Sequence, residues 1–297
     1  MVRAKKGANN DPSYHTLKAD YYPVQRMINL RSSATEVDYY PLDVSRCLSV
    51  VNHRLYRQGK TYSVKIDCDA GGAAKFDIFA LVDTWYIQKA WQLARAAYLR
   101  ATADERAVMS KQQIARWEDF RIAEGLNVAG KLLPNRYSTG LAGAADNSGE
   151  FLNSLITLAD GTSTRSFTWG SATASALSVL AEFDKSGDTN SSPATISADK
   201  AYAGTDPGAY ESQMDTLASN GNAPPYDAQN FNARVWVKVG TLDPTSPHGK
   251  LSTGYFNAPC GLVAVKPSVA STEITGQLSM TVQAGDYKGV KAMNMGV

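Results

Sequence analysis

The sequence predicts a mainly β protein, a jelly-roll β-sandwich interrupted by a helical insertion at about residues 84–124. Outside that segment, apolar and polar residues alternate in short runs bounded by Gly, Pro, Asn and Ser, which is typical of half-buried strands. Within the segment, the apolar spacing changes to that of a helix. About ten strands joined by long loops favour a single jelly roll, and a double jelly roll is the alternative.

The strand predictions come from alternation along the chain. The clearest run is 61–67, where Tyr62, Val64 and Ile66 alternate with polar side chains. Before the insertion, strands are predicted at 24–31, 36–44, 48–56, 61–67 and 76–82. After it, strands are predicted at 151–158, 166–169, 177–183, 234–241, 261–265 and 273–284.

The helical insertion has its own start and stop signals. Thr84 is placed to be an N-cap, and Thr102-Ala-Asp-Glu105 matches a capping box that begins a second helix. Ser110-Lys-Gln-Gln113 is a second such signal. Ile114, Trp117 and Arg121 would share one face of the helix that follows, which Gly125 would end. The apolar stripe of the first helix consists of Ile87, Ala90, Trp91, Ala94 and Tyr98.

Composition changes divide the chain into further parts. Residues 1–23 are polar and predict a flexible basic arm, and residues 24–284 form the predicted jelly-roll domain. Within that domain, residues 185–230 are rich in Gly, Asn, Ser and Pro; a loop of this length is usually functional or packs on a neighbour. Residues 285–297 form a polar tail that we expect to lie extended over a partner.

Several protein classes are excluded at this stage. With 43% hydrophobic residues, the chain can bury a core, so wholesale disorder is excluded. No apolar run approaches the ~18 residues of a membrane span, and no signal peptide follows the first Met, so we expect a soluble protein made in the cytosol. The three cysteines form no CxxC pair, and we expect Cys68 to act as a small buried hydrophobic residue.

The sequence offers no pattern typical of an active site. His15, His53 and His248 do not share the spacing of metal ligands, and neither a GxSxG elbow nor a phosphate-binding loop is present. Asp67 and Asp69 could share a cation on one face of a strand, but a solvent-facing acidic edge is the favoured interpretation. We therefore expect no catalytic residue, no metal and no cofactor.

Basic residues suggest contact with a polyanion. The first 135 residues hold 20 Lys and Arg against 14 Asp and Glu, whereas the rest hold 10 against 14. Two groups are the candidates for nucleic-acid binding: Arg3, Lys5 and Lys6 in the arm, and Arg54, Arg57 and Lys60 after it. Trp91 and Trp117 lie on apolar helix faces, so we expect them to pack in the core and not to stack on bases.

Four stretches of sequence carry a resemblance to a known family. They are Asp83-Thr-Trp-Tyr-Ile-Gln-Lys-Ala-Trp91, Thr102-Ala-Asp-Glu-Arg106, Ala115-Arg-Trp-Glu-Asp-Phe-Arg121 and Val282-Gln-Ala-Gly-Asp-Tyr-Lys-Gly289. They resemble capsid proteins of small circular single-stranded DNA viruses and related marine circular genetic elements. The resemblance implies a jelly-roll subunit, located in the virion, that assembles with copies of itself into an icosahedral shell around a genome of single-stranded DNA. The basic arm is shorter than in many such coats.

The leading functional hypothesis is thus a major capsid protein with no enzymatic activity. The alternative is a β-sandwich binding module, such as a phage receptor-binding or carbohydrate-binding protein, which would present an exposed aromatic platform. A glycosidase is the third hypothesis. It would need two carboxyl groups ~5–10 Å apart in a cleft, and the sequence suggests no such pair.

Overall fold

The structure is a computed structural model that describes residues 23–32, 37–70, 74–110, 114, 119–126, 131–135, 151–157, 164–185, 235–269 and 277–296. The helices in these ranges are α1 (Val44–Asn52), α2 (Trp85–Ala101), α3 (Ala103–Ala107) and α4 (Val179–Lys185). The strands are β1 (Met27–Arg31), β2 (Tyr40–Asp43), β3 (Lys60–Cys68), β4 (Phe76–Leu81), β5 (Leu133–Pro134), β6 (Leu155–Thr157), β7 (Thr164–Thr168), β8 (Ala176–Ser178), β9 (Trp236–Leu242), β10 (Phe256–Ala258), β11 (Leu262–Pro267), β12 (Leu278–Val282) and β13 (Ala292–Asn294).

Two antiparallel sheets form the main body. The first has the strand order β10-β3-β12-β1-β5, and β13 also pairs with β3. The second has the order β2-β11-β4-β9. A small third sheet joins β6, β7 and β8, with β7 and β8 parallel. The protein is therefore mainly β, as the alternation predicts.

One hydrophobic core receives side chains from both large sheets. Alternate residues point into it, because successive side chains of a strand face opposite sides. From the first sheet come Ile28, Leu30, Tyr62, Val64, Ile66 and Met280, and from the second come Leu42, Phe76, Ile78, Val263 and Val265. Two sheets that share one core in this way are compatible with a β-sandwich.

A second core lies between helix α2 and the segments around it. All five residues of the predicted apolar stripe are buried, which confirms this helix. They pack with aromatic neighbours: the Phe120 ring lies 5.2 Å from that of Tyr98 and 4.9 Å from that of Phe167. Leu81 of β4 and Leu262 of β11 belong to the same cluster, so the helical insertion is attached to the second sheet.

The prediction of a strand at 48–56 is wrong, because residues 44–52 form helix α1. The Asp43 carboxylate caps this helix by accepting a hydrogen bond from the Arg46 amide at 3.0 Å, and His53 ends it in a left-handed conformation. Val44, Cys47 and Leu48 are buried at helical spacing. The β-branched pair Val50 and Val51 favoured a strand by propensity, but burial of this helical face outweighs it.

The helical insertion is shorter than predicted. Helix α3 ends at Ala107 and Ile114 is again helical, its amide donating to the Ser110 carbonyl at 2.9 Å. The described residues 119–126 are extended: the Ala123 amide donates to the Phe167 carbonyl at 2.8 Å. Arg121 therefore does not lie on a helical face, and Gly125 does not end a helix. Thr102 also does not form the predicted capping box, since its hydroxyl donates to the Tyr98 carbonyl.

The remaining strand predictions have mixed outcomes. Those at 61–67, 76–82, 234–241 and 261–265 are confirmed as β3, β4, β9 and β11. The one at 177–183 is wrong beyond Ser178, where α4 begins. Residues 1–22 of the arm and 186–230 of the predicted loop lie outside the described residues. No helix in the described ranges is long and apolar enough to cross a membrane.

Candidate nucleic-acid interface

Three of the six predicted nucleic-acid contacts lie close together in the structure. Arg54 and Arg57 follow helix α1, and Lys60 begins strand β3. Arg57 and Lys60 line one cleft, and Arg54 is close enough to lower the pKa of Lys288 in that cleft. Arg3, Lys5 and Lys6 lie outside the described residues.

The C-terminal segment builds one wall of this cleft. Both β12 and β13 pair with the same edge of β3, since Val282 faces Val64 and Ala292 faces Tyr62. Residues 283–291 therefore loop out of an almost continuous strand, and the Lys291 amide closes the loop by donating to the Gln283 carbonyl at 2.7 Å. The predicted tail thus packs on its own chain.

The tip of that loop is a tight turn at Tyr287–Val290. These two residues exchange backbone hydrogen bonds of 3.1 and 3.0 Å. Lys288 and Gly289 between them both have positive φ, at 52° and 88°, as a type I′ turn requires. Glycine adopts this conformation freely, but for lysine it costs about 1–2 kcal/mol. Such strain is concentrated at functional sites, so Lys288 is a candidate binding residue.

Tyr287 holds two lysines over its ring. The Lys60 ammonium lies 4.1 Å from the ring centroid and the Lys288 ammonium lies 5.4 Å from it, both within the range of a cation–π interaction. The Tyr287 hydroxyl accepts a hydrogen bond from the Arg57 amide at 3.2 Å. Tyr56 and Tyr62 contact the same ring edge-on, which fixes its orientation.

The two lysines are partly desolvated and close to other cations. Burial lowers the pKa of Lys60, and the charge of Arg57 lowers it further. Burial also lowers the pKa of Lys288, followed by the charges of Arg54 and Arg57. Within the described part of the chain, their ammonium groups bond to neutral oxygens, those of Asn294 and Leu55. An anion in the cleft would relieve this repulsion.

The cleft itself has a volume of about 680 Å³ and lies between two different walls. One wall is mostly polar, and the other is a face of helix α2 that is mostly apolar. The polar wall contains Arg57, Lys60, Tyr287, Lys288 and Asn294. The helix wall contains Trp91, Gln92, Arg95, Ala96 and Leu99, with Phe120 and Met295 beside it.

Asp119 is the one carboxylate among the described lining residues, and its charge is already engaged. It accepts hydrogen bonds from Nη1 of Arg121 and from the Gln58 amide, each at 2.9 Å. Arg121 in turn pairs with Asp43. Burial raises the pKa of Asp119, although the Arg121 charge opposes that shift. The described lining residues therefore include four cationic side chains and one carboxylate, and that carboxylate is already paired with Arg121. The cations are Arg57, Lys60, Arg95 and Lys288.

Sequence reasoning missed Arg95, Tyr287 and Lys288. Arg95 follows Trp91 by four residues on the same helix, so its guanidinium lies 5.7 Å from the Trp91 ring. Lys288-Gly289 is a weak form of the Asn-Gly signal for a tight hairpin turn, and this signal could have located the loop. Its approach to Lys60 depends on pairing between distant strands, which no local pattern reveals.

The other residues considered for chemistry lie elsewhere. His53 caps helix α1, and His248 lies in a turn after β9. Asp67 pairs with Lys65 at 2.8 Å. Cys68 is buried as predicted, which raises its pKa to about 11. Across the described residues, no three His, Cys, Asp or Glu side chains converge on a point where they could hold a metal ion.

The cleft combines three chemical features. They are clustered cations, an aromatic ring that orients two of them, and an apolar wall opposite. Searches against protein-family models, curated proteins and solved structures found no match to this chain.

Proposed function

We propose that the protein is a major capsid protein: a single jelly-roll subunit that assembles with copies of itself into a closed shell and contacts a nucleic-acid genome through its basic residues. The observation that carries the proposed fold is the way eight strands of the two large sheets pair with one another. The basic cleft supports the nucleic-acid part. The resemblance of four sequence stretches to capsid proteins of small circular single-stranded DNA viruses points the same way.

The pairing follows the pattern of a wound hairpin. Counting β1, β2, β3, β4, β9, β10, β11 and β12 as the first to eighth strands, the first pairs with the eighth and the second with the seventh. The third pairs with the sixth, and the fourth with the fifth. Two further pairings, of the eighth with the third and the seventh with the fourth, roll this hairpin into two sheets. This winding of eight strands supports the proposal of a single jelly roll.

The jelly roll alone does not specify a function, because capsid subunits, lectins and cupins all use it. The charge of the cleft favours the capsid subunit. Arg57, Lys60, Arg95 and Lys288 converge there, and a polyanion is the partner that such a cluster attracts. Binding per subunit would be weak, but many copies on the inner surface of a shell would act together.

Assembly of the purified protein tests this proposal. Size-exclusion chromatography followed by negative-stain microscopy should show uniform particles tens of nanometres across. A stable monomer or trimer at every salt and protein concentration would contradict it. Nucleic acid in the particles is then measured by the ratio of absorbance at 260 and 280 nm.

The two basic groups can be separated in the same assay. Deleting residues 2–10 removes Arg3, Lys5 and Lys6 and should reduce the packaged nucleic acid while leaving particles intact. Replacing Arg54, Arg57 and Lys60 with Gln tests the second group. If neither change alters packaging, the genome contacts lie elsewhere on the chain.

A binding module is the second candidate, and exposed aromatic residues favour it. Trp85 is 65% exposed and Tyr255 is 52% exposed. Their segments are adjacent, since the side-chain Nδ2 of Asn257 donates to the Asp83 carboxylate at 3.0 Å. Exposed aromatic rings on a surface can stack on sugars. Binding to a glycan array that Trp85→Ala abolishes, together with small soluble oligomers, would favour this function over the capsid.

A further inference from the structure

We propose that the cleft between helix α2 and the C-terminal loop is a nucleotide-binding site. It would hold the phosphate against Arg57, Lys60 and Lys288 and the base against the helix wall. This deepens the proposed function, on which it rests for the biological source of the ligand, by naming the chemical unit that one subunit binds. Binding to the isolated subunit does not require assembly.

The polar wall has the chemistry of a phosphate site. Lys60 and Lys288 lie over the same Tyr287 ring, so their ammonium groups are both close to one region of the cleft. Arg57 lies next to them, and its amide is fixed by the Tyr287 hydroxyl. Charge-assisted hydrogen bonds from Lys and Arg are the strongest that a phosphate receives from a protein. The strained backbone of Lys288 keeps its side chain at this point of the cleft.

The helix wall has the chemistry of a base site. Ala96 and Leu99 give it an apolar surface above the buried rings of Trp91 and Phe120. Arg95 lies over the Trp91 ring, where a guanidinium plane can also stack on a base. Gly59 allows the Trp91 ring to pack directly against the backbone at this position, since a Cβ there would lie 2.5 Å from Cζ2 of Trp91. An inorganic anion would leave this wall unused.

The size of the cleft limits the ligand. A volume of about 680 Å³ is within the range of pockets for small molecules and is of the order that one nucleotide fills. The C-terminal strand also fixes the two walls relative to each other. The Gln92 side chain donates to the Gly296 carbonyl, and the Met295 amide donates to the Gly59 carbonyl at 3.2 Å. The site is therefore preformed, which lowers the entropic cost of binding.

The experiment is a calorimetric titration of the purified, unassembled subunit with dATP, inorganic triphosphate and a ten-residue oligodeoxythymidine. We expect dATP to bind at one site per chain and more tightly than triphosphate.

The first variant combines Lys60→Gln with Lys288→Asn, because Asn tolerates a positive φ. Losing two charge-assisted contacts should weaken dATP binding at least tenfold. Arg95→Gln should also weaken it, whereas its control Arg100→Gln, exposed on the same helix outside the cleft, should not.

Each outcome decides one point. No dATP binding at millimolar concentration, or equal binding by the Lys60 and Lys288 double variant, would overturn the proposal. Equal affinity for triphosphate and dATP would overturn the assignment of the helix wall to the base.

The oligonucleotide distinguishes two sources of the ligand. If it displaces dATP, the ligand is a nucleotide within a single strand, and if dATP stays bound, the ligand is a free nucleotide. A subunit that binds dATP but never forms particles would refute the capsid function and leave the site standing. Circular dichroism checks that each variant is folded.

Discussion

Arg121 forms a buried ion pair with Asp43, although the two residues lie 78 positions apart in the chain. Asp43 also caps helix α1, and Arg121 belongs to the extended segment that follows the helical insertion. The second carboxylate of the group, Asp119, lies 2.9 Å from Nη1 of Arg121. This network connects the second sheet to the segment after the insertion, and its member Asp119 lines the cleft.

Replacing Arg121 with Gln should destabilise the protein strongly. Its side chain is only 6% exposed, so the substitution would leave the carboxylates of Asp43 and Asp119 buried without their cation. Breaking a buried ion pair in this way typically costs about 3–5 kcal/mol. Chemical denaturation monitored by circular dichroism measures the loss. The control, Arg100→Gln at an exposed position, should change the unfolding free energy by less than about 0.5 kcal/mol.

Two glycines with the same backbone conformation should respond differently to alanine. Gly125 and Gly254 have φ of +70° and +71°. At Gly254 no described atom lies within 4 Å of an added Cβ, so Gly254→Ala should cost only the conformational strain of about 1–2 kcal/mol. At Gly125 the Cβ would lie 2.0 Å from the Gly170 amide nitrogen, so Gly125→Ala should cost more than about 4 kcal/mol. Equal unfolding midpoints would contradict this close approach.

The pH dependence of stability should contain a contribution from Asp77. Burial raises its pKa, but hydrogen bonds from Lys238 at 2.8 Å and Thr241 at 2.6 Å outweigh this, and the pKa lies below its usual value. A carboxyl group with a lowered folded-state pKa stabilises the protein above its unfolded pKa of ~4, and this stabilisation is lost as the pH falls through the folded value. Asp119 acts in the opposite direction, since its pKa is raised.

The variant Asp77→Asn isolates that contribution. Because the pair with Lys238 is partly exposed, the variant should lose no more than about 1 kcal/mol at pH 7. The difference from the wild type should disappear at a pH low enough to protonate Asp77 in the folded state as well as in the unfolded state. Urea denaturation at the two pH values measures it. A difference that persists at low pH would mean that packing, and not charge, accounts for the loss.

Local sequence patterns predict those strands and helices in which buried side chains recur at a regular spacing. The alternation of Tyr62, Val64 and Ile66 located β3, and the stripe along α2 located that helix, because each element buries one face along its whole length. Helix α1 was missed because its β-branched residues favour a strand, while a single cap and tertiary burial determine the helix.

The candidate site could be predicted only in part, for a related reason. Arg57 and Lys60 are close in sequence, so their clustering was visible. Lys288 reaches them because β13 pairs with the far end of β3, and Arg95 faces them because α2 packs beside that edge. No local pattern pairs the Asp43 carboxylate with Arg121, because the two residues lie 78 positions apart and meet only after the insertion has packed on the second sheet. Contacts of this kind are set by the order of the strands.

The C-terminal residues should contribute to the stability of the single subunit. Met293 and Met295 lie two residues apart, but Met293 is 52% exposed, whereas Met295 is 3% exposed in the core beside α2. Removing a buried methionine side chain leaves a cavity and typically costs about 2–5 kcal/mol. We therefore expect Met295→Ala to lower the unfolding free energy by that amount and Met293→Ala to leave it within about 0.5 kcal/mol. Denaturation of the unassembled protein measures both. If the C-terminal segment belonged instead to a neighbouring subunit, neither variant would change the stability of the monomer, and the parts of the cleft that Lys288 and Met295 contribute would come from a second chain.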